Sequence, residues 1–278
     1  MITEIGKIRI KWNINSDLEV VRKRLLNHYK SFLTGQSRRI DVNITVKIQK
    51  GKLPEGDMPV LHTRSWGYFK YDGRPFFRFS SGDLAEVGEG FRKIKFYMSH
   101  ESGQPLFYLF PEILYSFILP EFSGVLLHAC GVKMGNRIFV FLAPSEEGKS
   151  TIAKLALKKG LILLNDDRII VRKIRNKFYA FGNPWHGEVE VTSSEWGEAK
   201  ELFFLKKARR NFVKEIDKKR MFAEMLNNSF YVKADRENFR KVIEIIGNVV
   251  NNVKGYELSF KPDEDIWKYL IKNCHDKK

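Results

Sequence analysis

The sequence predicts an α/β protein in two parts: a β-rich α+β region, then an α/β domain built around a phosphate-binding loop. Three features predict it. Residues 8–12 (IRIKW) and 40–48 (IDVNITVKI) alternate apolar and polar side chains, the period of half-buried strands. Residues 137–142 (RIFVFL) form an apolar strand that runs into APSEEGKST at 143–151 and then into helical spacing. Residues 161–164 (LILL) form a second apolar strand, which ends in the acidic pair Asp166 and Asp167.

The chain has 278 residues, 43% of them hydrophobic, enough for two packed cores. Cys130 and Cys274 have no CxxC or metal-ligand spacing, which argues against a disulfide framework or a zinc finger and for a reducing, cytoplasmic setting. The first residues, MITEIGKIRI, lack the basic-then-apolar pattern of a secretory signal. Net charge is +16, but the basic residues are spread along the chain. A solvated lysine surface is therefore expected rather than a nucleic-acid partner. The most apolar window, 106–119, is shorter than a bilayer span and contains Pro111 and Glu112, so it reads as a buried helix and no membrane partner is expected.

In the first part, residues 17–33 between the two strands have helical spacing, with Ser16 as a candidate N-cap. Residues 65–80 read as a hairpin turning at Asp72-Gly73, a pair suited to positive φ. Residues 51–59 read as a loop. The polar, turn-rich segment 99–105 marks a boundary, giving domains 1–104 and 105–278. Beyond it the spacing predicts a helix over 111–119, strands over 125–133 and 137–142, a helix over 151–159 closed by Gly160, and a strand over 161–164. Residues 172–177 read as a hairpin turn between DRIIV and FYAF, which returns the chain toward the acidic pair at residues 182–188. Strands at 202–205, 211–215 and 256–260 and helices at 217–226, 238–250 and 263–273 complete the second domain.

Each position of the loop has a physical reason. Ala143 opens it where the pattern allows Gly or Ala, and Gly148 lets successive backbone N–H groups turn inward. Those amides, from Ser145 to Thr151, and the following helix N-terminus present partial positive charge to a polyphosphate. Lys149 adds a full charge, and Ser150 offers a hydroxyl to Mg²⁺. Asp166 or Asp167, at the end of a nearby strand, completes a metal site. Glu146 and Glu147 add negative charge beside the expected phosphates, which opposes tight binding.

Three linked pieces resemble the catalytic domain of HPr kinase/phosphorylase and its kinase-like relatives, a fold related to the nucleotide-binding part of ATP-dependent phosphoenolpyruvate carboxykinase. They are His128 in LLHACGV, the loop APSEEGKST, and NDDR at 165–168, at spacings similar to the family's. The resemblance covers residues 120–190. It implies a Mg²⁺-dependent kinase that passes a phosphoryl group from ATP to a hydroxyl of a small molecule or of a protein serine. ADP and pyrophosphate stay open as donors. It implies Asp166 as the general base, His128 beside it to tune it, and Asp167 with Ser150 as metal ligands. Self-assembly is implied too, since related enzymes form homo-oligomers. The sequence lacks the glycine- and arginine-containing signature with which true HPr kinases contact their protein substrate, so HPr is not the expected acceptor.

In place of that signature stands Gly182-Asn-Pro-Trp-His-Gly-Glu188. If the hairpin folds as read, His186 reaches the acceptor or an outer phosphate, Glu188 lies beside the nucleotide, and Trp185 walls the site; the equal alternative is a Pro-Trp core anchor with a solvated histidine. Arg209 and Arg210 are candidates to clamp phosphate, with a solvated turn as the plainer reading. The alternative function is a non-catalytic nucleotide-binding accessory protein, serving a peptide-modification pathway. Intact Lys149, Asp166, Asp167 and His128 favour catalysis, while the loop glutamates and the missing signature favour the accessory role.

Overall fold

The computed structural model describes residues 1–36, 39–49, 59–71, 74–100, 103–135, 137–144, 147–232 and 235–273. They form two compact units, Met1–Ile118 and Leu119–Lys278. The division falls after the apolar helix rather than in the polar segment before it. That helix belongs to the first unit because its aromatic side chains pack there, as described next.

The first unit contains β1 (Ile2–Ile5), β2 (Ile8–Ile14), α1 (Glu19–His28), β3 (Val42–Ile48), β4 (Leu61–His62), β5 (Trp66–Tyr71), β6 (Arg74–Phe79), β7 (Leu84–Val87), β8 (Lys93–Met98) and α2 (Leu109–Ile118). Among the described residues its strands form one sheet, in the order β1-β2-β3-β8-β7-β6-β5-β4. The period-2 pattern explains one buried face: Ile10, Trp12, Val42, Ile44, Val46, Ile94 and Phe96 are buried, while Lys11, Lys47, Lys93 and Lys95 between them are exposed. Helix α2 covers the buried face. Its Phe110 stands 5.0 Å from Phe96 and its Phe117 stands 5.3 Å from Phe77, centroid to centroid. Each such aromatic side chain contributes about 1.5–3 kcal/mol by leaving water. No described helix is long and apolar enough to cross a membrane. The expected hairpin is present, with Tyr71 opposite Arg74; its turn residues Asp72 and Gly73, and loop residues 51–58, lie outside the described residues. The expected helix over 17–33 is shorter, because 3-10 turns replace its two ends at Ser16–Leu18 and Lys30–Phe32.

The second unit contains β9 (Gly124–Met134), β10 (Arg137–Leu142), α3 (Lys149–Lys158), β11 (Ile162–Asn165), β12 (Arg168–Ile174), β13 (Lys177–Phe181), β14 (Trp196–Glu198), β15 (Glu201–Lys207), β16 (Phe212–Glu215), α4 (Lys218–Asn227), β17 (Ser229–Phe230), α5 (Arg236–Asn252), β18 (Lys254–Phe260) and α6 (Asp265–Asn273). The sheet runs β14-β13-β12-β9-β10-β15-β18-β16, with β11 and β17 also paired to β9. Strands β10, β15 and β18 are parallel neighbours; β10 and β15 are apolar on both faces, as buried parallel strands should be, while β18 buries Leu258 and Phe260 on one face and carries Glu257, paired with Arg220, on the other. Met221 and Met225 of α4 and Ile246 and Val249 of α5 share one core with Val140 and Leu202. Ile152 and Ala156 of α3 and Ile266 and Trp267 of α6 share another with Phe141 and Phe203. The unit is thus a sheet with helices on both faces. Asp217 caps α4 through the Arg220 amide and Asp235 caps α5 through the Asn238 amide, both at short range (2.9 and 3.0 Å).

Candidate active site

The site begins with one long strand. Along one side of β9, β11 pairs with residues 131–133 and β12 with residues 124–128, both antiparallel. Strands β11 and β12 thus follow one path, whose register shifts between Leu163 and Asn165 and which is then interrupted where Asp166 and Asp167 bend out. Along the other side, β10 pairs with residues 129–134 and ends with Leu142 opposite Ala129. The loop therefore leaves β10 at the level where the acidic pair interrupts the opposite neighbour. His128 lies between them, with Arg168 as its strand partner.

The acidic interruption is built by asparagine. Buried Asn165 accepts through Oδ1 from the amides of Asp167 (2.9 Å) and Arg168 (2.8 Å), a side-chain-closed turn. Its Nδ2 donates to the carbonyl of Trp185 at 3.0 Å. Buried Asn183 donates to the carbonyl of Arg168 at 2.6 Å and accepts from the amide of Trp185 at 3.1 Å. The returning hairpin is thereby tied to the acidic turn. Gly187 and Val189 then donate their backbone amides to Oδ1 and Oδ2 of Asp166, each at 2.8 Å. Gly187 has no room for a side chain: a Cβ there would meet Cβ of Asp167 at 2.6 Å.

The two aspartates consequently differ. Asp166 is 2% exposed and both its oxygens accept backbone amides. The Asp167 side chain is 24% exposed; its Oδ1 lies 2.8 Å from Nε2 of His128, and its Oδ2 pairs with Arg168. His128 thus pairs with Asp167, where the resemblance implied a place beside Asp166. The reason is the strand register, which sets Asp167 opposite Ala129, whose amide donates to the Asp167 carbonyl at 3.0 Å. Burial works against the charge of Asp167, but the His128 hydrogen bond and the nearby Arg168, His128 and Lys149 charges together hold its carboxyl below the ordinary aspartate value.

The loop side is equally specific. Gly148 precedes α3 with φ 110°, which L side chains rarely adopt, and a Cβ there would meet Phe260 Cζ at 2.7 Å. Lys149, 6% exposed, donates to the carbonyls of Ala143 (2.7 Å) and Pro144 (3.1 Å). Burial lowers its pKa, against the opposing charges of Asp167 and Asp166. An ammonium has three N–H donors, and these contacts use two. Glu188 pairs with Lys154 at 2.5 Å, and hydrogen bonds from Lys154 and then Ser150 lower its pKa. Cys130 is a buried thiol whose pKa is pushed well up by burial, then by the Asp166 charge.

These parts meet in a cavity of about 340 Å³ lined by His128, Gly148, Lys149, Ser150, Thr151, Lys154, Asp166, Asp167 and Glu188. Of the residues singled out in the sequence, Ala143 contributes its carbonyl to Lys149 without lining the cavity. Ser145 and Glu146 lie outside the described residues, and Glu147 is exposed beyond the cavity lining. His186 does not line it either; its Nδ1 lies 3.1 Å from the Gly187 carbonyl. Trp185 is 1% exposed and packs inside rather than walling the site. Arg209 and Arg210 are exposed in the turn after β15. Sequence reasoning missed Lys154, which lies one helical turn beyond Ser150 and faces the same cavity. It also missed the roles of Asn165 and Asn183, although an Asn before an acidic pair and a Gly-Asn-Pro turn both signal such closure.

No family model and no curated protein matches the chain. Among solved structures it is similar to the Hpr(Ser) kinase/phosphatase from Coxiella burnetii, at 10% identity and a TM-score of 0.34, over 54% of this chain and 95% of that one. The likeness is remote, so function has to be read from the loop, His128 and the acidic pair themselves.

Proposed function

We propose that the chain is a Mg²⁺-dependent phosphotransferase that moves a phosphoryl group from a nucleotide, ATP, to a hydroxyl acceptor. One observation carries this reading: residues 148–151 of the loop share a single cavity with His128, Asp166 and Asp167. Phosphoryl transfer needs in-line positioning and charge neutralisation more than covalent catalysis, and this set supplies both.

The hydroxyl of Ser150 and the carboxylates of Asp167 and Glu188 line one cavity with Lys149. These are hard oxygen donors, which fit Mg²⁺ held by one or two carboxylates together with phosphates. Ser150 and Glu188 would hold the ion, with the charge of Asp167 beside it. Bound there, Mg²⁺ neutralises charge on the phosphate oxygens. The amides of residues 148–151 and the α3 N-terminus bind and orient the phosphate chain, and Lys149 offers its third N–H to an outer phosphate oxygen.

Asp167 is the proton acceptor in this reading. It is the more exposed carboxylate of the pair and is paired to His128. A carboxyl held below its usual value is a weak base, so it chiefly orients the hydroxyl and takes the proton late, as a loose transition state permits. Asp166 is a positioning residue, since its oxygens hold the loop that brings Glu188 to Ser150. This moves the base role from Asp166 to Asp167 and gives the metal-ligand role that the resemblance assigned to Asp167 to Glu188.

The test is thermal. Mg-ATP should raise the melting temperature of the protein, and Lys149→Ala should remove the rise. The accessory-protein alternative shares that result; it is separated by turnover, which Asp167→Asn should abolish while nucleotide binding persists. Binding without any phosphate release or transfer in the wild type would leave the accessory role as the reading.

A further inference from the structure

We infer that Lys207 contacts the donor's phosphate chain on the nucleoside side of the loop, and thereby selects a nucleoside polyphosphate over pyrophosphate. The inference rests on the loop being a phosphate site, and it concerns which phosphate compound the loop accepts.

The acidic pair flanks β9, whereas β15 and then β18 lie on the other side of β10. Strand β15 is parallel to β10, and their last pairing is Leu142 with Phe204. Beyond that pair β10 ends, while β15 continues through Lys207. Lys207 is paired with Phe260 of β18, and both approach Gly148: a Cβ built on Gly148 lies 2.7 Å from Phe260 Cζ and 3.9 Å from Lys207 Cε. The exposed Lys207 stem is therefore beside the residue at which the loop enters α3.

Charge divides the surroundings of the loop in the same direction. On the β9 side are Asp166, Asp167 and Glu188, with Lys154 already paired to Glu188. At the ends of β15 and β18 stand Lys207, Arg209 and Arg210, together with Lys206, which lies near Glu257, and Lys261, which is paired with Asp263 at 2.6 Å. In-line transfer requires the reacting phosphoryl group to face the hydroxyl and its base, on the side of His128 and Asp167. The rest of the donor must then leave across β10 toward β15. There its innermost phosphate meets Lys207. Pyrophosphate ends before that point and would not use this side chain.

The experiment measures Kd for ATP, ADP and pyrophosphate, each with Mg²⁺, by calorimetry on wild type, Lys207→Ala and Lys207→Arg. Lys207→Ala should weaken ATP and ADP by about tenfold or more, the scale of one charge-assisted hydrogen bond, and leave pyrophosphate unchanged. Lys207→Arg should recover most of the loss, and the melting temperature without ligand should stay as in wild type. Two results overturn the inference alone: ATP affinity within twofold of wild type in Lys207→Ala, or an equal loss for pyrophosphate. Wild type binding pyrophosphate but not ATP also overturns it and leaves the phosphate site standing. Wild type binding none of the three removes the phosphate site itself.

Discussion

The two sheets of this protein handle strand pairing in opposite ways. In the first unit the register runs unbroken from β2 through β3 to β8, and the outward positions carry solvated side chains such as Lys11, Lys93 and Lys95. In the second unit β9 changes partner on both sides near His128, from β11 to β12 on one and from β10 to β17 on the other. Regular pairing satisfies the backbone and leaves side chains little to do but pack or solvate. A break in pairing frees amides and carbonyls that must be satisfied otherwise, here by Asn165, Asn183 and Asp166. The candidate site is thus a managed fault in a sheet, with its polar groups held by side chains rather than by a strand.

Breaking that fault should have large effects. Gly187→Ala places a Cβ against Asp167 and Asp166 Oδ2, at 2.6 and 3.0 Å, so loop 187–189 must shift. Turnover should fall about 10²-fold from misplacement alone, with the circular dichroism spectrum unchanged. Unaltered kinetics would mean that this loop does not position the chemistry. A smaller effect is expected from His128→Ala, read as the pKa of Asp167 by carboxyl NMR. With His128 present that pKa lies below the ordinary value of 3.8, so the charge contributes stability above 3.8 and loses it as pH falls through the depressed value. Removing His128 takes away the hydrogen bond, leaves the opposing burial, and should move the titration to higher pH. No upward movement would show that the His128–Asp167 contact does not persist in solution. The smallest effect belongs to the regular sheet. Lys95→Ala removes an exposed ion pair to Glu86 at 3.4 Å and should change stability by no more than about 0.5 kcal/mol in a denaturant titration. A larger change would make the outer face of the first sheet more than a solvated surface.

Much of the second unit was legible in the sequence because its strands are short apolar runs and its loop is a motif with a reason at each position. Strand β10 has the expected bounds, and the hairpin of β12 and β13 brings residues 187–189 to Asp166 as expected. Less legible was what depends on register. Whether His128 meets Asp166 or Asp167 turns on a shift between Leu163 and Asn165, which composition does not encode. His186 is outside the cavity lining for a related reason: the backbone of Gly187, not the flanking histidine, was recruited to the acidic pair. In the first unit, β1, β4 and β7 lack long alternation and are held as strands by their neighbours, a tertiary effect that overrides local propensity.

The central claim is that the loop at 143–151 binds nucleotide phosphates through Lys149. Calorimetric titration with Mg-ATP tests it most directly. Wild type should give a saturable one-site heat, and Lys149→Ala should give none. Equal heats from the two proteins, or no heat from wild type with ATP, ADP, GTP or pyrophosphate, would contradict it.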